Sequence, residues 1–189
     1  MRHFLTVLHG WGAGGIFLVG FPLALIAIAG TTASATHPPS HTEESFVKRA
    51  LWALATVGWV AVSAGTYVIY PWYRAKPPAG TADLAGYPRS LLLSQADTSW
   101  LHSFGMEWKE HVAWLAPILL TVVAYIYTIY GASLARHRGI RATALAFTVI
   151  AFFASGVAGE FGKLLGDHAP VQRPVAAQAQ AQAQAGTVK

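Results

Sequence analysis

Long apolar runs, rather than strict alternation, organise this chain. Residues 4–30, 46–72, 106–132 and 139–165 are each dominated by Leu, Ile, Val, Ala and aromatic residues. Each run exceeds the ~20 residues that an α-helix needs to cross a hydrocarbon core. The pattern predicts an all-α integral membrane protein, a four-helix bundle over residues 1–168, with a long loop between its second and third helices. Residues 169–189 alternate Ala and Gln without apolar periodicity, and composition of that kind predicts a disordered tail.

Polar positions inside the runs are few. In the first run, His9 is followed by Gly10, Trp11, Gly12, Ala13, Gly14 and Gly15. Helical spacing puts His9 on one face with Thr6, Gly12, Ala13, Ile16 and Gly20, a surface nearly bare of side chains. Ala33-Ser34-Ala35 resembles a signal cleavage site, but the apolar stretch is longer than the ~7–15 residues of a secretory signal, so this run reads as a retained helix. Thr42-Glu43-Glu44-Ser45 supplies a helix start with acid in its first turn. With His37 and His41 the two glutamates resemble a loop metal site, although capping and solvation account for them.

The second run ends in Tyr67, Tyr70, Trp72 and Tyr73, an aromatic belt of the interfacial kind. Between the second and third runs, Ser90 to Leu93 and Ser99 to Leu101 are apolar enough for a short interfacial helix lying over the mouth of the bundle. The third run opens on Met106-Glu107-Trp108-Lys109-Glu110-His111. Glu107, His111, Trp114, Ile118, Thr121, Tyr125 and Thr128 then recur at helical spacing, a polar stripe expected to face protein. Pro117 lacks the donor that would reach Ala113 and predicts an interruption one turn beyond His111. The fourth run closes with Gly156, Gly159, Glu160, Gly162 and Lys163, its glycines suited to close helix approach.

Composition narrows the chemistry. The chain is 54% hydrophobic and 11% charged, with a mean hydropathy of +0.42, outside the range of ordinary soluble folds. It has no cysteine, which excludes disulfides, iron–sulfur clusters, thiolate zinc and covalent c-type haem attachment. The formal charge of +5 is scattered rather than blocked, so nucleic acid is not an expected partner and the lipid bilayer is.

Ionisable groups within a membrane helix are functional-site candidates by default. With four antiparallel runs, His9, Tyr70, Glu107, His111 and Glu160 all belong to one end. Each histidine is about five residues into its run, hence about 8 Å below the same surface. Two imidazoles at equal depth across a helical bundle form the ligand pair of b-type haem, with Gly12 leaving room for the macrocycle and Glu107 supporting His111. The His9-Gly10-Trp11-Gly12-Ala13-Gly14-Gly15 stretch, combined with a histidine early in the third run, resembles small four-helix haem-binding membrane proteins. These include the bacterial four-helix protoporphyrinogen oxidase and copper-resistance-type membrane domains. The resemblance implies haem b with His9 and His111 as axial ligands. The run from Met106 to His111 departs from that pattern, where a plainer apolar helix is expected.

The expectation is therefore a membrane b-type haem protein or electron-transfer subunit, partnered by other subunits of a redox complex. Three alternatives use the same residues differently. One is a non-haem metal site from Glu107, Glu110, His111, His9 and Glu160. A second is quinone or proton handling by Glu107, His111 and Tyr70. A third is an accessory subunit of a respiratory or photosynthetic complex whose polar positions only recognise neighbouring helices. Lys48, Arg49, Arg136, Arg138 and Arg141 flank the short connections, while Arg74, Lys76, Arg89 and Lys109 lie on the opposite side; the positive-inside rule, applied to the short connections, favours the N-terminus outside, in what is expected to be a bacterial inner membrane.

Overall fold

The computed structural model describes residues 2–31 and 40–169; His37 and the Ala/Gln-rich segment beyond 169 lie outside them. The described chain forms α1 (Arg2–Gly30), α2 (His41–Tyr73), the short α3 (Pro88–Leu93), α4 (Leu101–Arg136) and α5 (Arg138–His168). Four of these helices are long and apolar enough to cross a membrane, and there is no strand among the described residues. They pack as a ring: α1 on α2, α2 on α4, α4 on α5 and α5 back on α1.

The main core fills the middle of this ring. Phe17, Phe21 and Ile28 of α1 meet Leu51 and Leu54 of α2, Leu120, Val123 and Tyr127 of α4, and Ala144 and Ala151 of α5. Phe17 and Phe21 meet edge to face at 4.8 Å, a favourable ring geometry. Leu54 occupies the space that Gly20 leaves open.

At the end carrying the short connections, local chemistry closes the structure. Ser40, two residues before the expected start, caps α2: its Oγ accepts from the Glu43 amide at 3.3 Å, and its own amide donates to Glu43 Oε2 at 2.7 Å. This reciprocal box satisfies donors that a helix start leaves orphaned. Glu44 reaches across to the α4–α5 connection and accepts from the Ala132 amide at 3.3 Å. Gly131 stands there at φ 46°, in the region that disfavours a Cβ. A Cβ at this position would run into the Glu44 carboxylate.

Two rungs set the register of α2 against α4. Trp52 Nε1 donates to Thr128 Oγ1, and Trp59 Nε1 donates to Thr121 Oγ1, each at 3.0 Å. The expected orientation of the α4 polar stripe is corrected here. The inward face is Ala116, Pro117, Leu120, Val123, Ala124 and Tyr127, whereas Ile118, Tyr125, Thr128, Glu107 and His111 are exposed in the chain. Thr121 and Thr128 each return their hydroxyl proton to a carbonyl four residues back, Pro117 and Ala124. They can therefore sit at the edge of the seam, leaving the interior to small and apolar residues.

At the opposite end, residues 74–100 fold over the ring. Leu92 of α3 and Leu101 at the start of α4 are buried with Tyr73, Met106 and Leu165 in a second, smaller core. We call this assembly the cap, and the end it covers the mouth.

Candidate functional site

The mouth departs from regular α-helix on three elements at once. α1 is π-helical over Leu8–Gly14, α2 over Gly65–Ile69, and α4 over Leu101–Met106 and again over Trp108–Val112. Each π turn adds a residue without advancing the face, and such insertions concentrate at functional sites. In α4 the regular ladder also breaks at Ala113–Trp114, where Ala113 O is reached by the Ala116 amide because Pro117 has no donor to offer.

These turns send the charged start of α4 in three directions. Trp108 Nε1 and Lys109 Nζ point to α5, donating to Ala154 O at 3.1 Å and Ala158 O at 3.2 Å. Gly162 leaves room for the Lys109 ammonium, since a Cβ there would stand 3.0 Å from Nζ. Glu110 points to the α2 end, where its carboxylate faces the Tyr70 hydroxyl. Glu107 and His111 point outward: Glu107 Oε2 and His111 Nε2 are 3.2 Å apart, and both side chains are more than half exposed.

His9 faces inward. Its ring lies over Gly65, where an added Cβ would come within 2.9 Å of Cε1. Its Nδ1 is buried and makes no hydrogen bond, and Lys109 is the cation within electrostatic range. An orphaned buried nitrogen is uncommon. Beside it, Gly10 and Gly15 have nothing within 4 Å of a built Cβ, whereas Gly12 is half-buried against its own Leu8 side chain. Of the two glycines expected on the His9 face, Gly12 is filled by Leu8 and Gly20 by Leu54, and the open positions are Gly10 and Gly15.

The expected equality of depth is corrected. Extending the Trp–Thr register toward the mouth, with one π turn on each helix to offset the other, sets His111 level with Ile69 and Leu115 level with Gly65. His9, resting on Gly65, is therefore about one helical turn deeper than His111. Counting residues from the start of each apolar run could not reveal this, because α4 begins several residues before its apolar stretch.

Between the cap and the bundle lies a row whose central residue, His102, the sequence did not single out. His102 Nδ1 and the Tyr73 hydroxyl are 2.8 Å apart, and Arg89 Nε donates to His102 Nε2 at 3.3 Å. Tyr73 stacks on Tyr70, ring centroids 6.1 Å apart, and Arg74 covers the Tyr70 face at 5.3 Å. Tyr70 thus joins the site through Tyr73 and Glu110 rather than through His9 or His111. Its spacing of three from Tyr73 was legible in the sequence. Arg89 and His102 come from the loop and from the π turn that opens α4, and only the folded cap brings them together.

Glu160 lies on the outer face of α5, with Lys163 at 4.0 Å, apart from the inward groups. Among the described residues no three His, Asp or Glu side chains converge as a metal-binding group. Taken together, the mouth holds a hydrogen-bonded row, Arg89–His102–Tyr73, beside the Tyr70–Glu110 pair, above an inward imidazole and ammonium. No family model matches the chain, and neither the curated proteins nor the solved structures contain a match to it.

Proposed function

We propose that the chain is an integral membrane subunit of a redox complex that handles protons at its mouth. The observation that carries this reading is the row of titratable and hydrogen-bonding groups Arg89, His102, Tyr73, Tyr70 and Glu110. It gathers at the one end where three helices are locally rewound. Tyr, His and Glu both accept and release protons, and a positioned group of this kind contributes about 10²–10⁴-fold to a proton-transfer rate. Lys109 and His9 lie near the row, where an ammonium and an imidazole with one unpartnered nitrogen are costly to bury and so have a use beyond packing. In this reading the neighbouring subunits move the electrons.

The test is the rate of proton uptake after a pH jump, followed with an indicator dye on the protein in lipid nanodiscs. Glu110→Gln should slow uptake about 100-fold, while Glu160→Gln, on the outer face, should leave it unchanged. An unaltered rate in Glu110→Gln overturns the reading.

A second reading keeps haem b, or a quinone headgroup, as the ligand of His9. Its support is the unpartnered, buried Nδ1 of His9. Haem would use His9 as one axial ligand; His111, turned outward and bonded to Glu107, would have to rotate to supply the other. Sharp absorption bands of six-coordinate haem on dithionite reduction, lost in His9→Ala and in His111→Ala, would establish this ligand pair. A colourless protein rejects haem.

We infer the orientation from the basic residues of the short connections, weighed against Arg74, Lys76, Arg89 and Lys109 at the mouth. Lys48, Arg49, Arg136, Arg138 and Arg141 cluster at the short connections, and the positive-inside rule directs that end to the cytoplasm and the mouth outward. Because the chain has no cysteine, Ala82→Cys in the cap gives a single label site. Its reaction with an impermeant maleimide in intact cells is expected, and protection from it would invert the topology.

A further inference from the structure

The tautomer of His102 follows from its neighbours. An arginine Nε–H can only donate, so the ring nitrogen that receives it, Nε2 at 3.3 Å, carries no proton. The neutral ring must then hold its proton on Nδ1. That proton is donated to the Tyr73 oxygen at 2.8 Å, and the Tyr73 hydroxyl keeps its own proton to give onward.

The surroundings of the ring make this arrangement directional. Arg89 faces it from the cap and Tyr73 from α2; Glu110 and Glu107 face it from α4 itself. α5 meets this turn through Phe161 and Leu165, which carry no charge. Among the charged groups, Glu110 is also the carboxylate within electrostatic range of Tyr73. The hydrogen bonds therefore run from Arg89 through His102 to Tyr73, toward the side on which Glu110 lies.

We propose that Arg89 is a positioning residue of the mouth: it holds His102 in the Nδ1–H form, and a proton can enter at Nε2 only when this arginine withdraws. The role in a relay rests on the proton-handling reading above. In one transfer, a proton from water binds Nε2, the Nδ1 proton passes to the Tyr73 oxygen, and the Tyr73 hydroxyl releases its own proton to water on the side of Glu110. The imidazole is left neutral with its proton on Nε2, so the ring must return to the Nδ1–H form before the arginine can bind again. Cap attachment and proton loading of His102 therefore exclude each other, because both need the same nitrogen.

The experiment reads the ring nitrogens directly. The full-length protein is labelled with ¹⁵N-histidine and placed in nanodiscs at neutral pH, with the His102 signals identified by their loss in His102→Gln. Wild type should show a protonated Nδ1 and a bare Nε2. Arg89→Met should convert His102 to the Nε2–H form that free imidazole side chains favour. Tyr73→Phe, which keeps Arg89, should leave the Nδ1–H form in place, and it serves as the working variant if Arg89→Met does not fold. A wild-type ring protonated on Nε2, an Arg89→Met ring unchanged from wild type, or conversion by Tyr73→Phe would overturn the proposal. The nitrogen signals do not depend on transfer. The expected tautomers together with unchanged uptake in Glu110→Gln would therefore discard the proton-handling reading and leave the positioning of His102 by Arg89 intact.

Discussion

The two ends of this bundle solve opposite problems. At the short-connection end, side-chain bonds close the fold: the Ser40–Glu43 box, Glu44 on the Ala132 amide and Trp52 on Thr128, with the buried Arg141 Nε the exception that has no partner. At the mouth, Lys109 is held by one carbonyl and His9 Nδ1 by none, and three helices are rewound, with Lys109 and His9 turned inward and Glu107 and His111 outward. A structure built only for stability would resemble the first end throughout, because inward polar groups with too few partners cost stability. Polar groups at the closed end therefore hold the fold. Those at the mouth are tolerated by it.

That contrast is sharpest at glycine. Gly131 combines positive φ with a Cβ position already occupied by Glu44, so Gly131→Ala should cost about 3 kcal/mol or more, visible as a large loss of thermal stability in detergent. Gly65→Ala at the mouth meets the His9 ring first, which can turn aside, and should cost about 1 kcal/mol while shifting the His9 resonances. Equal costs would erase the distinction between a closed end and an adaptable one.

The next test concerns single hydrogen bonds. A double-mutant cycle on Trp59→Phe and Thr121→Val should give a coupling of about 0.6–1 kcal/mol, the usual scale between helices in a bilayer. At the mouth, Lys109→Met keeps the stem volume and removes an ammonium that has one recorded acceptor. Its effect on stability should fall within about 1 kcal/mol of zero, in either direction, although the same variant should slow proton uptake. A loss comparable to that of Gly131→Ala would make Lys109 a structural tie to α5 instead.

The smallest effect belongs to Lys163→Gln. Its partner Glu160 is 4.0 Å away and both side chains are largely exposed in the chain. Wherever that part of α5 meets water the change should be below about 0.5 kcal/mol, and a larger loss would mean that a partner helix covers this face.

Much of the architecture was legible in the chain. Four apolar runs of sufficient length specify four long helices, because an isolated helix satisfies its own backbone and length alone sets its reach. The acidic first turn after Ser40, the break near Pro117 and the tyrosine pair at the end of α2 are likewise local consequences of residue type. The candidate site was only partly legible. Helical periodicity assumes 3.6 residues per turn, and the π turns at Leu8–Gly14 and Trp108–Val112 violate it at the very residues whose direction mattered. His111 consequently faces outward and Lys109 inward, the reverse of what their chemistry alone suggests.

What the sequence by itself determined is the number, length and polarity of the helices, since these follow from local hydropathy and backbone hydrogen bonding. Only the tertiary structure decided which charged side chains meet. That outcome depends on the register between α2 and α4, on where each helix is rewound, and on a cap that carries Arg89 across to His102. Each of these arises from packing between distant segments, and no local spacing encodes them.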